Sequence, residues 1–281
     1  MEEKEKKDDT PEKKKEPQES LHDKLERKRQ ARWRLSALLA TLLMCSVLML
    51  HLVVDKPSQA ELDIYAYARE NGISALQYPE NLVALLERNP ETEEFVLNYP
   101  FREEEPEIDL STYDLKAGVP LFMQWDKRWG YLTCGDDMAA INGSGPMCLA
   151  MAGYYVTGDA TFYPDRIVKF AERSGFCVEA SGSKWTLISV GGPALGLQVK
   201  TLARERDKVT AYLQGGNPII AVVGPGDFTD SEHFIVLTGY QNGMLTLNDP
   251  NSYVNSGKLW DFNDIKGQIR ALWVIQAAAG E

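Results

Sequence analysis

Histidine is scarce in this 281-residue chain, with His22, His51 and His233 the only three. Beyond residue 54 one histidine and three scattered cysteines remain, which leaves no zinc-ligand spacing. No glycine loop suited to cradling phosphate is present, so nothing in the sequence calls for a metal or a nucleotide cofactor. Four cysteines are too few for a disulfide-stapled scaffold. Net positive charge is lacking as well, with 30 Lys/Arg against 41 Asp/Glu and a formal net charge of −11. That balance argues against nucleic acid or an anionic surface as partner and leaves cationic ligands open.

Two absences divide the N-terminal region. Residues 1–34 have almost no apolar side chains and carry 12 Lys/Arg against 10 Asp/Glu. They cannot bury a core and read as a disordered or weakly helical tail. The next twenty residues, Leu35 to Val54, contain no Asp, Glu, Lys or Arg. A run of about 20 apolar residues suffices to cross a ~30 Å hydrocarbon layer, so this segment is expected to be a transmembrane helix. Lys24, Arg27, Lys28, Arg29, Arg32 and Arg34 crowd its N-terminal side, against Lys56 beyond it. The positive-inside rule then puts the tail in the cytoplasm and the rest outside the plasma membrane. "SQA" ending at Ala60 would be a tolerable cleavage site for a signal peptide. The long charged tail and the length of the apolar run favour an uncleaved signal anchor.

Residues 55–113 form a helical lead-in and an acidic linker. Leu82, Leu85 and Leu86 precede Pro90, and Phe95, Val96 and Leu97 follow it, which predicts two short amphipathic helices. "FREEEPEIDLSTYDLKAG" reads as a linker. A compact domain is expected over 114–281. Within it the spacing predicts an apolar helix over Ser144 to Val156 and an amphipathic helix with Ile167, Phe170 and Ala171 on one face. Ser183 is expected as an N-cap, and "RDKVTAYLQGG" as a short helix. Strands follow in "PIIAVV", "HFIVLTGY", "MLTLNDP" and "ALWVIQA", with Asn242-Gly243 as a hairpin turn. Helices first and an antiparallel sheet after give the pattern of an α+β fold.

The stretch "INGSGPMCLAM" runs small residues and a proline into that apolar helix, a geometry that presents a nucleophile at a helix N-terminus. His233 starts one strand of the predicted hairpin and Asp249 ends the other, so the two can meet across it. Each alone reads as an ordinary strand end or turn residue. Among Cys134, Cys148 and Cys177 the odd count leaves at least one thiol unpaired or pairing between chains. Cys148 reads as a small buried core residue, one helical turn from Ser144. Gly145 and Pro146 serve geometry, Pro being tolerated in a first helical turn. For Trp125, Trp129 and Trp185, core packing and cleft lining are equally open.

Taken in order, "PLFMQWDKRWGY", "GSGPMCLAM", "HFIVLTGY" and "NDP" resemble the C39-like family of papain-fold cysteine peptidases over about Val119 to Val274. The residues around "YPENLVALLERNPETEEFVLNYP" resemble the helical lead-in of membrane-anchored members. The resemblance implies a papain-like fold with a central helix packed on an antiparallel sheet. It also implies a nucleophile at the helix N-terminus, a histidine and an aspartate on neighbouring strands, and an upstream glutamine for the oxyanion. Those roles fall on Ser144, His233, Asp249 and Gln124. Where the family has Gly-Cys-Gly-Pro, this chain has Gly143, Ser144, Gly145 and Pro146. A thiol near pKa 8.5 is readily lowered to a thiolate at such a position, whereas a serine hydroxyl stays protonated and needs concerted base catalysis. Three readings follow: a domain with weak or lost peptidase activity that binds a peptide or protein ligand, an active hydrolase using Ser144 or Cys148, and an assembly protein acting through its lead-in.

Overall fold

The computed structural model describes residues 20–54, 56–178 and 182–278, with the side chains of residues 50–54 outside that description. The chain divides into two units, Met1–Pro57 and Ser58–Glu281.

In the first unit a single helix, α1, covers Leu21–Val54. No proline or glycine interrupts these residues, and Ser20 starts the helix by accepting from the Asp23 N–H while donating to its carboxylate. The charged residues from Leu21 to Arg34 are therefore regular helix, continuous with the apolar run, and not the disordered or weakly helical tail expected of them. The rest of that tail, residues 1–19, lies outside the described residues. The stretch Leu21–Met49 is long and apolar enough to cross a membrane. Its hydroxyls return to the backbone, Thr41 to the Ala37 carbonyl and Ser46 to that of Leu43.

The second unit begins with α2, Gln59–Glu70, opened by a capping box in which Ser58 and Glu61 satisfy each other's backbone N–H. Helices α3, Glu80–Arg88, and α4, Glu93–Leu97, follow on either side of a single turn at Pro90–Thr92. Leu82, Leu85, Leu86, Phe95 and Val96 are buried in one cluster with Ala140. The lead-in thus packs on the turn that immediately precedes Ser144. Residues 102–132 hold no helix or strand, yet Leu110 is fully buried.

The central helix α5 covers Ser144–Thr157 and ends at Gly158 in the left-handed region. Helix α6 covers Pro164–Arg173 and α7 covers Arg206–Gln214. Five strands form one antiparallel sheet: β1 Leu197–Thr201, β2 Ile219–Val223, β3 His233–Gln241, β4 Met244–Asn248 and β5 Ile269–Ala277. Their order is β1-β5-β2-β3-β4. Strand β2 is buried along its whole length. Ile220 and Val222 face the cluster that holds Met147, Leu149 and Met151 of α5, while Ile219, Ala221 and Val223 face that of Val209 and Leu213 of α7. The period-2 alternation thus supplies two apolar faces, each covered by helix. Asn242 and Gly243 both take positive φ, as a two-residue hairpin between β3 and β4 requires.

This is the expected α+β, papain-like arrangement, with two local differences. Strand β1 was not anticipated, because its sequence "LQVKT" is mostly exposed at a sheet edge and lacks an apolar run. Ser183 is not an N-cap: it lies in a two-stranded ribbon, Cys177–Val178 with Gly182–Ser183, and donates to the Asn142 carbonyl at 3.2 Å.

Candidate active site

Four groups of residues converge at the N-terminal end of α5. Ser144 is the first residue of the helix, directly after its N-cap Gly143. The backbone N–H groups of a first helical turn have no intrahelical acceptor, and Pro146 in that turn has none to leave unpaired. Gly145 is required by contact: a Cβ there would stand 2.7 Å from the Ser183 Cβ. The neighbouring ribbon is thereby brought against the start of the helix.

His233 and Asp249 meet across the β3–β4 hairpin, with Nε2 of the imidazole 2.7 Å from Oδ1 of the carboxylate. Asp249 is 1 % exposed and His233 7 %. Asp249 Oδ1 also accepts the Asn251 N–H at 2.9 Å, and Oδ2 accepts Asn255 Nδ2 at 2.9 Å. Burial pushes this carboxyl up. The charge and hydrogen bond of His233, with the bonds from Asn255 and Asn251, outweigh burial and hold it below the usual carboxylate range. An ionised carboxylate only accepts, so the proton of a neutral His233 lies on Nε2 and Nδ1 keeps its lone pair. Nδ1 is therefore the nitrogen able to act as a base.

Gln124 is 4 % exposed. Its Nε2 donates to the Ala140 carbonyl at 2.7 Å, and its backbone N–H donates to the Pro250 carbonyl at 2.8 Å. It thus ties the turn before Ser144 to the loop after Asp249. Its Oε1 is buried and has no partner among the described residues.

Ser144, Gln124 and His233 line one open cavity of about 820 Å³, and Asp249 stands behind His233. No hydrogen bond joins the Ser144 hydroxyl to His233 among the described residues. Among the described residues the walls carry Asp136, Asp137, Asp230 and Glu232 against one guanidinium, Arg88. No local pattern marks Leu85, Arg88 and Asn89 of the lead-in as part of this wall. The turn at Asp249 is as expected, but the short helix Tyr253–Ser256 beyond it was missed, although "NDPNSYVNS" carries its signal in a Ser followed three residues later by Asn.

Cys148 is fully buried within α5 and is a free thiol. Burial, and after it the charge of Asp249, pushes the thiol well above its ordinary value, as befits a residue of the core. Cys134 and Cys177 form a disulfide that joins the ribbons Thr133–Met138 and Cys177–Ser183. Asp136, Asp137, Gly182 and Ser183 of those ribbons line the cavity. Trp129 is a core residue, bonded through its indole N–H to the Met123 carbonyl. Trp185 is 37 % exposed and meets Glu232, while Trp125 packs edge-on to Tyr253. None of the three tryptophans lines the cavity. Among the described residues no cluster of His, Cys, Asp or Glu is arranged to hold a metal.

The solved structures to which the chain is similar include two peptidase domains. One is the peptidase domain of Streptococcus ComA, described as a bifunctional ABC transporter involved in a quorum-sensing pathway. It is 21 % identical, with a TM-score of 0.37, and the match covers 50 % of this chain and 93 % of that one. The other is a putative C39-like peptidase from Bacillus anthracis, 16 % identical with a TM-score of 0.35, covering 57 % of this chain and 96 % of that one. No curated protein matches the sequence. The sequence model of the Peptidase_C39 like family matches residues 117–279, more than half of the chain, and the protein belongs to that family.

Proposed function

We propose that this protein is a membrane-anchored C39-like domain that binds peptides in the cleft beside Ser144 and has weak or no peptidase activity. The observation that carries the reading is Ser144 at the nucleophile position, unbonded to a histidine that Asp249 holds in place. A cysteine there would gain from the helix N-terminus and an adjacent imidazolium, but a hydroxyl gains little from either. Four carboxylates against one guanidinium favour peptides carrying Lys or Arg as the ligand class.

Anchoring rests on α1, whose apolar stretch has the length and composition to span a bilayer. The basic residues from Lys24 to Arg34 support a cytoplasmic N-terminus and an extracytoplasmic domain at the plasma membrane. The Cys134–Cys177 disulfide fits an oxidising compartment. The domain limits that follow are a tail to residue 34, an anchor over 35–54, a lead-in and linker over 55–113, and the peptidase-like domain from 114.

Incubating the protein with peptide libraries is expected to give saturable binding of basic peptides without cleavage. Turnover that Ser144→Ala abolishes would sink the reading.

The retained His233–Asp249 pair favours a second reading, an active serine hydrolase. Ser144 Oγ would attack the peptide carbonyl as its proton passes to His233 Nδ1, which then protonates the departing amine. A fluorophosphonate that labels Ser144 would decide for it. The assembly reading, in which the lead-in is the working part, would be favoured if deleting residues 55–113 abolished the cellular phenotype and substitution of Ser144 and His233 did not.

A further inference from the structure

Glu91 lies outside the residues matched to the family, in the turn between α3 and α4. Its carboxylate nevertheless ends on the loop that carries Asp249. One oxygen accepts the Ser252 hydroxyl at 2.8 Å and the other accepts the Tyr253 N–H at 2.7 Å. Asn89, which fixes the Glu91 turn through its own side chain, donates to the Asn251 carbonyl at 2.8 Å. Two links therefore cross from the lead-in to the segment 251–253.

That segment orders the groups that hold Asp249. Because the Ser252 hydroxyl gives its proton to Glu91, its oxygen is free to accept the Asn255 N–H at 3.1 Å. Asn255 in turn donates its side-chain amide to Asp249 Oδ2, and Ser256 Oγ accepts the Asp249 N–H at 2.9 Å. Asp249 then meets His233 at 2.7 Å. Hydrogen bonds thus link Glu91 to Ser252, Ser252 to the Asn255 backbone, the Asn255 side chain to Asp249, and Asp249 to the imidazole. A carboxylate accepts from the Ser252 hydroxyl and the Tyr253 N–H with two separate oxygens, whereas an amide offers one acceptor oxygen.

We propose that Glu91 is a positioning residue of the His233–Asp249 pair, so that the lead-in supplies a working part of the site as well as a wall of its cleft. This goes beyond the proposed ligand and requires only the pair itself. With three histidines in the chain, selective ¹⁵N-histidine labelling of the full-length protein in nanodiscs resolves His233, assigned by loss of its signal in His233→Gln. Long-range ¹H–¹⁵N correlation reads which ring nitrogen is protonated, and the downfield proton spectrum reads the Nε2–H held by Asp249.

Glu91→Gln is expected to shift or abolish that downfield signal and to mix the two tautomers, and Asn255→Ala, which removes the direct bond to Asp249, is expected to do the same. A His233 signal unchanged in Glu91→Gln overturns the proposal, including the case where the Tm falls, because Glu91 would then only anchor the lead-in. If Glu91→Gln does not fold, Ser252→Ala interrupts the same path, and an unchanged signal there overturns it equally. Peptide binding is not the readout, so this test and that of the proposed function can fail separately.

Discussion

His233 Nε2 lies 2.7 Å from Asp249 Oδ1, and the two side chains stand sixteen residues apart in sequence at neighbouring strand ends. A carboxylate almost fully removed from water must be held by donors, and Asp249 has them from His233, Asn251 and Asn255.

Those donors make the domain acid-sensitive. The folded carboxyl of Asp249 lies below the ordinary range, near 3.9 for an unfolded chain. Its contribution to stability is therefore complete above about pH 4 and is lost as pH falls through the lower folded value. Thermal unfolding at stepped pH should show a Tm that falls more steeply below pH 4 in the native protein than in Asp249→Asn. Parallel curves would show that Asp249 contributes no such dependence.

A thiol placed at position 144 should be reactive. In Ser144→Cys the new side chain sits at the first position of a 14-residue helix and shares a cavity with His233. Its alkylation by iodoacetamide at pH 7 should exceed that of Cys148 by at least about tenfold, since thiolate fraction and access both favour it. Cys148 should label only on unfolding. Peptide mapping after timed alkylation measures both.

The Cys134–Cys177 bond closes a loop across a separation of 43 residues and braces one wall of the cleft. Replacing both cysteines by alanine should cost roughly 2–4 kcal/mol by the loop-closure argument. Urea denaturation gives the value, and a cost near zero would mean the ribbons are held without the bond.

Gly145→Ala tests the contact between helix and ribbon. The added Cβ meets the Ser183 Cβ at 2.7 Å, and overpacking of this kind costs typically about 1–3 kcal/mol. The Ser183 hydroxyl bond to Asn142 should be displaced with it. Denaturation midpoints and the amide shifts of residues 182–184 report the two effects.

Much of the fold was legible in the sequence. The helices on either side of Pro90, the central helix from Ser144, the Asn242-Gly243 hairpin and strands β2 to β5 all follow from local periodicity and turn chemistry. Strand β1 was not, because an edge strand takes its place from its partner's open hydrogen bonds and shows no apolar alternation of its own. The helix from Leu21 to Arg34 was missed for a different reason: low apolar content rules out a buried core but not a helix that continues an apolar one.

What the sequence determined by itself is the family, a serine at position 144 beside Gly145 and Pro146, and an apolar run of membrane-spanning length. These reside in residue identity and short-range spacing. Only the tertiary structure decided that Cys134 pairs with Cys177, that Cys148 is core, and that Asp249 holds His233. It alone decided that Glu91 reaches Ser252 across 161 residues. Such contacts depend on how separately formed elements pack, and no local pattern records which distant side chain will supply a partner for a buried polar group.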